Sequence, residues 1–283
     1  MRDGFVLTAG AIVALAIAVP ARAQGKGKAP KSTPPSSTTL PSPTVSAPAI
    51  GTVPFAWVDD ASILPPGDVA ISLSAFWWQG TGVSEVDVPV IGMAFGLADR
   101  LQVGATIPRV MGSDASGIVA GFGTAFVSAK FSVLNGVGSP VKLAVAPTVE
   151  ILGDNAARFL APSEGRARIG VPVSVEVDRG RARVFGSAGY FSGGGWFVGG
   201  GVGGQVSRRV TVSAALSGAW STDATGAIAH DRLEISGAGG YAVTPRVSLF
   251  GSLGRSIATA DADGAGTTLS GGVLFLLSPV ASK

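Results

Sequence analysis

The chain has 283 residues, of which 14% are charged and 46% apolar, with 42 glycines and no cysteine. That balance is too apolar for a disordered chain and too rich in glycine for a helical one. It also excludes a disulfide framework, a thiolate metal site and a lipid-bearing cysteine, and the small net charge of +3 gives no basis for a nucleic-acid partner.

Arg2 precedes a compact apolar run, Phe5–Val19, followed by the small-x-small site Ala21-Arg22-Ala23. The run is shorter than the roughly 20 residues of a spanning helix. Residues 1–23 therefore read as a signal peptide, cut before Gln24. Residues 24–49 are rich in Pro, Ser, Thr and Lys and read as a disordered linker. Its Lys26, Lys28 and Lys31 read as a solvated charged tail. The remaining domain covers 50–283. It opens with Phe55, Trp57, Ile63 and Leu64, large enough to dock at the periplasmic mouth of the strand-rich region after them; a lead-in strand or coil is the plainer reading. No later stretch suits a transmembrane helix, so any crossing uses strands.

From 67 to 277 the chain alternates with period two. The first run is Asp68–Trp78. Two more form the hairpin Pro89–Val110, in which Ile91, Met93, Phe95 and Leu97 share a face with Leu101, Val103, Ala105 and Ile107. Its opposite face is Gly, Ala, Gln and Thr, and Ala98-Asp99-Arg100 allows only a tight reversal. Then come Ile118–Val133, Val141–Leu152, Arg166–Val177, Ala182–Phe191 and Trp196–Val206. The series ends with Val210–Trp220, Arg232–Val243, Val247–Arg255 and Thr267–Leu277. Connections alternate between short turns and mostly longer polar loops, the longest at Gly153–Gly165, Ser221–Asp231 and Ser256–Gly266. A soluble sandwich has no reason to keep this parity, whereas an outer-membrane barrel does.

Strand direction places Trp77, Tyr190, Trp196 and Trp220 outward at the long-loop end. Phe131, Tyr241 and Phe275 point outward at the short-turn end. Two such belts suit the two interfaces of a bilayer. Ser270, Gly272, Phe275 and Leu277 follow the C-terminal insertion pattern of bacterial outer-membrane proteins, although the run stops short of the terminus.

Leu64-Pro65-Pro66-Gly67, Phe95–Leu101 and Gly121-Phe122-Gly123 with Lys130-Phe131 add a resemblance. They resemble an outer-membrane barrel family of proposed transporters that includes a branch associated with the meta-pathway of phenol degradation. That family often has an acidic residue where this chain has Thr124. The resemblance implies an outer-membrane barrel and a channel for small or apolar compounds, without naming a substrate.

Little here looks catalytic. His230 is the only histidine, in a long loop, and supplies neither a partnered base nor a typical zinc set. Asp261-Ala262-Asp263-Gly264 lacks the later ligands of a calcium loop. The glycine runs 193–195 and 199–204 lie in a strand pattern and have no phosphate-loop lysine. The informative polar residues are those that parity turns inward: Lys130, Lys142, Glu150, Arg166, Arg168, Glu176, Arg183, Arg232 and Glu234. Six are basic and three acidic, which fits either a polar pore with a mild anion preference or a closed ion-pair network.

The expected fold is therefore all-β: an antiparallel up-and-down transmembrane β-barrel of about 12 strands, with short periplasmic turns and longer extracellular loops. The expected place is the Gram-negative outer membrane. The expected function is a porin-like passive channel or transporter for small solutes, apolar or anionic. The alternative is a non-conducting structural or adhesin-like barrel. Expected partners are outer-membrane lipid, the barrel-assembly machinery through the last strand, and a small-molecule solute. No enzyme activity, cofactor or metal is expected.

Overall fold

A computed structural model describes residues 58–80, 83–112, 118, 120–158, 160, 165–221, 232–259 and 265–278. The expected signal peptide and linker (1–49), Phe55, Trp57, His230 and Asp261–Gly264 lie outside these. The described chain contains fifteen strand segments. The first five are β1 (Val69–Gln79), β2 (Ser84–Ala98), β3 (Leu101–Met111), β4 (Gly121–Phe122) and β5 (Ala125–Asn135). Next are β6 (Val141–Val145), β7 (Thr148–Ile151), β8 (Ala167–Gly170), β9 (Val173–Arg179) and β10 (Ala182–Phe191). The last are β11 (Gly195–Gln205), β12 (Val210–Ser221), β13 (Arg232–Thr244), β14 (Val247–Thr259) and β15 (Thr267–Leu277). One helical turn, Asp154–Ala157, interrupts the loop after β7.

Three pairs of segments are halves of one barrel strand: β4 with β5, β6 with β7, and β8 with β9. The chain thus forms twelve barrel strands. Pro147 and Pro172 cause two of the breaks, because proline has no N–H to give to the ladder. Their carbonyls still accept: Ala129 N–H donates to Pro147 O at 3.0 Å and Ala146 N–H to Pro172 O at 2.8 Å. Every pairing is antiparallel. β1 pairs with both β2 and β15, closing the ring through registers such as Leu73 with Val273. Closure removes both sheet edges.

The distribution of side chains is inverted relative to a soluble domain. Leu73, Ile91, Met93, Val127, Val184, Val202, Ile235 and Leu249 are exposed on the outer face. Ser132, Thr148, Ser174, Ser187, Ser217 and Ser270 are buried on the inner one. Among the described residues no helix is long and apolar enough to cross a membrane. An apolar outside on a closed ring is the form in which strands cross a bilayer. Leu253, 58% exposed, stands near the middle of β14. Leu253→Arg should cost about 2–4 kcal/mol of barrel stability in lipid, the scale of a midplane cation. Denaturant titration in vesicles reads this, and an unchanged midpoint would place that face off the lipid.

The barrel ends differ. Short turns join β2 to β3, β9 to β10, β11 to β12 and β13 to β14. At the other end longer stretches of sequence, 112–120, 152–166, 222–231 and 260–266, separate β3 from β4, β7 from β8, β12 from β13 and β14 from β15. Two links at that end are short. Residues 80–83 join β1 to β2, where Gly80 N–H donates to Val83 O at 2.9 Å. Ser192–Gly194 join β10 to β11, where Gly193 and Gly194 take φ of +93° and +85°. Only glycine adopts such a consecutive pair without strain. β2 also starts at Ser84, five residues before the expected hairpin, so Glu85 and Asp87 are strand residues.

Candidate functional site

The interior is occupied. Residues 58–66 precede β1; 58–62 lie inside the ring, and 64–66 sit at its short-turn mouth. Pro65 sits against Gly96, whose Cβ, were there one, would collide with the Pro65 carbonyl oxygen. Gly67 N–H donates to Gly96 O at 2.7 Å, and Gly96 N–H to Asp68 O at 3.0 Å. Leu64 N–H donates to Gln102 Oε1 at 2.8 Å, close to the short-turn end of β3. Further in, Asp59 N–H donates to Ser187 Oγ at 3.0 Å, midway along β10. Val58 packs where a Cβ on Gly199 would be, midway along β11. The segment therefore runs between the barrel's mid-height and its short-turn end.

Charged side chains hold it there. Lys130 Nζ lies 2.8 Å from Asp59 Oδ2 and 3.8 Å from Asp60 Oδ1. It also donates to Asp60 O at 2.6 Å. Arg183 Nη1 donates to Asp60 Oδ2 at 2.9 Å. Lys142 Nζ lies 3.1 Å from Glu176 Oε1 and 2.6 Å from Asp178 Oδ2. Lys142 also donates to Ser62 Oγ at 3.0 Å, while Ser62 Oγ–H donates to Glu176 Oε2 at 2.9 Å. Lys130, Glu176 and Asp60 are all buried. Burying such charges is tolerable only because each meets an opposite charge and further hydrogen bonds.

The residues singled out by parity fall into separate groups. Lys130, Lys142, Glu176 and Arg183 meet around the segment. Glu150 faces Arg168 across β7 and β8. Arg166 instead reaches Asp154 at 2.8 Å on an exposed loop. Arg232 and Glu234 lie on another wall, with the Arg232 guanidinium 5.5 Å from the centre of the Trp78 ring. The six-to-three count leaves out Asp59, Asp60, Asp154 and Asp178, which face those cations, and Glu85 and Asp87. Asp59, Asp60 and Ser62 gave no local sign in a lead-in stretch. The pattern Ser84-Glu85-Val86-Asp87-Val88 does alternate and could have been read as a strand.

Toward the long-loop end the interior is aromatic. Phe191 packs edge-on to Phe126 at 6.5 Å and lies 6.1 Å from Phe197. Phe76, Trp78 and Val90 form a buried cluster with Val83 on the wall of β1 and β2. On the outside, Tyr190, Trp196 and Trp220 stand in one row across β10, β11 and β12. Tyr190 and Trp196 rings are 4.8 Å apart. Trp77 is half-buried and donates to Ser84 Oγ at 3.1 Å. Phe131, Tyr241 and Phe275 are exposed near the other rim. Among the described residues no group of three or more His, Cys, Asp or Glu could hold a metal ion.

No family model matches the chain, and no curated protein matches it in sequence. Solved structures do match. An outer membrane channel from Pseudomonas putida F1 superposes with a TM-score of 0.57 at 16% identity, covering 77% of this chain and 98% of that one. The KdgM porin superposes with a TM-score of 0.52 at 10% identity, covering 73% and 98%. KdgM in complex with disordered oligogalacturonate gives 0.50 at 8% identity, with the same coverage. At these identities the likeness concerns the fold, that of an outer-membrane β-barrel.

Proposed function

We propose that the protein is an outer-membrane channel or transporter for small solutes, held shut at rest by its own residues 58–62. The supporting observation is the seat of that segment: a polar, charged interior in a closed ring, threaded by a short stretch of the same chain. A merely structural barrel has no need of a polar interior filled by a separable segment. The nine inward charged residues are proposed to line or brace the pathway. Trp77, Phe131, Tyr190, Trp196, Trp220, Tyr241 and Phe275 are proposed as the interface belts. The resemblance to transporter barrels, the signal peptide and assembly through β15 belong to the same reading. No catalytic role is proposed.

Charge does not argue for anions. Lys130, Lys142 and Arg183 are matched by Asp59, Asp60, Glu176 and Asp178. Beyond the segment the interior carries Phe126, Phe191, Phe197, Phe76 and Trp78, an apolar character that favours solutes with apolar bodies. In planar bilayers the purified protein should give small, infrequent current steps. Vesicle swelling should be faster with small aromatic solutes than with sugars of similar size. A folded barrel, shown by altered gel mobility before boiling, that passes neither ions nor solutes would overturn the channel reading in favour of a non-conducting surface barrel.

A further inference from the structure

One carboxylate of the seated segment bridges two cations of the wall. Asp60 Oδ2 accepts from Arg183 Nη1 of β10 at 2.9 Å, and Asp60 Oδ1 lies 3.8 Å from Lys130 Nζ of β5. Asp59 Oδ2 lies 2.8 Å from the same Lys130 Nζ. With the segment seated, Lys130, Lys142 and Arg183 face Asp59, Asp60, Glu176 and Asp178. That match belongs to the seated state alone. When the segment leaves, Asp59 and Asp60 go with it, and three cations face the two carboxylates Glu176 and Asp178. Both of those are on β9 and already paired with Lys142. Lys130 and Arg183 then lack acceptors, which is costly for cations in a closed interior.

The same wall offers a further donor and an apolar neighbour. Ser174 is the register partner of Ser187, whose Oγ accepts the Asp59 N–H at 3.0 Å. Ser174 is 1% exposed, and its Oγ has no hydrogen-bond partner among the described residues. The seated segment leaves that hydroxyl unmet. Arg183 is held over the Phe185 ring, 5.1 Å from its centre. The Phe185 ring in turn lies where a Cβ on Gly201 would be, and Val58 where a Cβ on Gly199 would be. Phe197 stands two residues before Gly199 on the same face of β11. The room for a ligand is the space of the segment itself, which includes the buried Val58 and Ala61.

We propose that the seat of residues 58–62 is a binding site for a carboxylate carried on a small aromatic body, and that such a solute displaces the segment. Asp60 stands in for the carboxylate and Val58 for the apolar body. The two oxygens of the solute accept from Arg183 and Lys130, as those of Asp60 do, and Ser174 Oγ–H supplies a donor that the segment does not use. The body takes the Val58 position, toward Phe185 and Phe197. Solute and segment compete for the same two cations, so binding the one favours release of the other. This rests on the proposed function in needing a segment that can leave; binding itself requires no conduction.

The test is calorimetric titration of the full-length barrel in detergent with phenylacetate, phenethyl alcohol and phenethylamine. These share one ring and carbon count and end in a carboxylate, a hydroxyl or an ammonium. Phenylacetate should bind saturably and at least about tenfold more tightly than the alcohol, the scale of one charge-assisted hydrogen bond. The amine should not bind. Asp60→Ala removes the competing carboxylate and keeps both cations, so it should tighten phenylacetate at least about tenfold by making the vacant seat more populated. Adding Arg183→Gln to Asp60→Ala, where Asp60 no longer ties Arg183 to the segment, should weaken phenylacetate about tenfold and leave the alcohol unchanged. Val58→Cys with Gly199→Cys, once oxidised, should bind no phenylacetate, and reductant should restore binding. Gel mobility before boiling confirms that the variants are folded. Equal affinity for phenylacetate and the alcohol, no phenylacetate binding, or binding untouched by the disulfide would overturn the proposal. The native barrel's preference between phenylacetate and the alcohol decides it if a variant does not fold. A barrel that binds phenylacetate yet never conducts would remove the channel reading and leave this site standing. One that conducts without binding would do the reverse.

Discussion

Replacing Asp60 with alanine should open the barrel. Asp60 accepts from Arg183 at 2.9 Å, faces Lys130 at 3.8 Å and accepts from Ser62 N–H at 3.2 Å. Its side chain is buried, so its loss leaves Arg183 without this acceptor and Lys130 with the Asp59 carboxylate and the main-chain carbonyl of residue 60. Removing one member of a buried pair costs about 3–5 kcal/mol. Arg183 keeps some contact with water, which places the effect near the lower end. About 3 kcal/mol shifts the balance between seated and released segment by ~10²-fold. Single-channel recording should then show larger and longer openings than the native protein. Asp178→Ala is the matched control: Asp178 contacts Lys142 at 2.6 Å without touching residues 58–62, and its side chain is largely exposed. That variant should conduct like the native barrel. A folded Asp60→Ala barrel with native currents would mean that the segment is not what closes the lumen.

The opposite result should come from locking the segment in place. Val58 lies against the position of a Cβ on Gly199. The pair Val58→Cys with Gly199→Cys therefore brings two Cβ atoms toward the roughly 3.5–4.5 Å of a disulfide. The chain has no cysteine of its own, so no other bond can form within it. Once oxidised, this barrel should lose its current steps, even with Asp60→Ala added. Reductant should restore them. Identical currents before and after reduction, with the bond verified by mass, would show that ions pass around the seated segment. The two experiments push one equilibrium in opposite directions, so together they separate a movable closure from a permanent filling.

Much of the architecture was legible because it is local. Alternation in Ile91, Met93, Phe95 and Leu97 assigns a strand and its outer face without knowing any neighbour. The turn at Asp99-Arg100 supplies the reversal. Repeated along the chain, this sets the strand number and the lipid-facing surface. The breaks at Pro147 and Pro172 fall inside runs that alternation alone read as unbroken, Val141–Leu152 and Arg166–Val177, although a missing N–H is a property of proline itself. Boundaries were less legible. Ser84–Val88 alternates, but its polar inner residues resemble a loop until Trp78 is placed beside Glu85.

By itself, then, the sequence determined a closed antiparallel barrel with an apolar outside, because period two in a strand is a rule of covalent geometry. Parity also proposed nine inward charges, of which Arg166 instead reaches Asp154 on an exposed loop. Only the tertiary structure decided what those charges meet. Lys130 reaches Asp60 across 70 residues, Arg183 across 123, and Ser187 receives Asp59 N–H across 128. No local pattern encodes pairings at such separations; they arise when closure of the ring brings β5, β9 and β10 around residues 58–62. The same closure leaves Asp87 Oδ1 and Glu234 Oε2 on one wall, and Ser174 Oγ on the wall of β9, without a hydrogen-bond partner among the described residues.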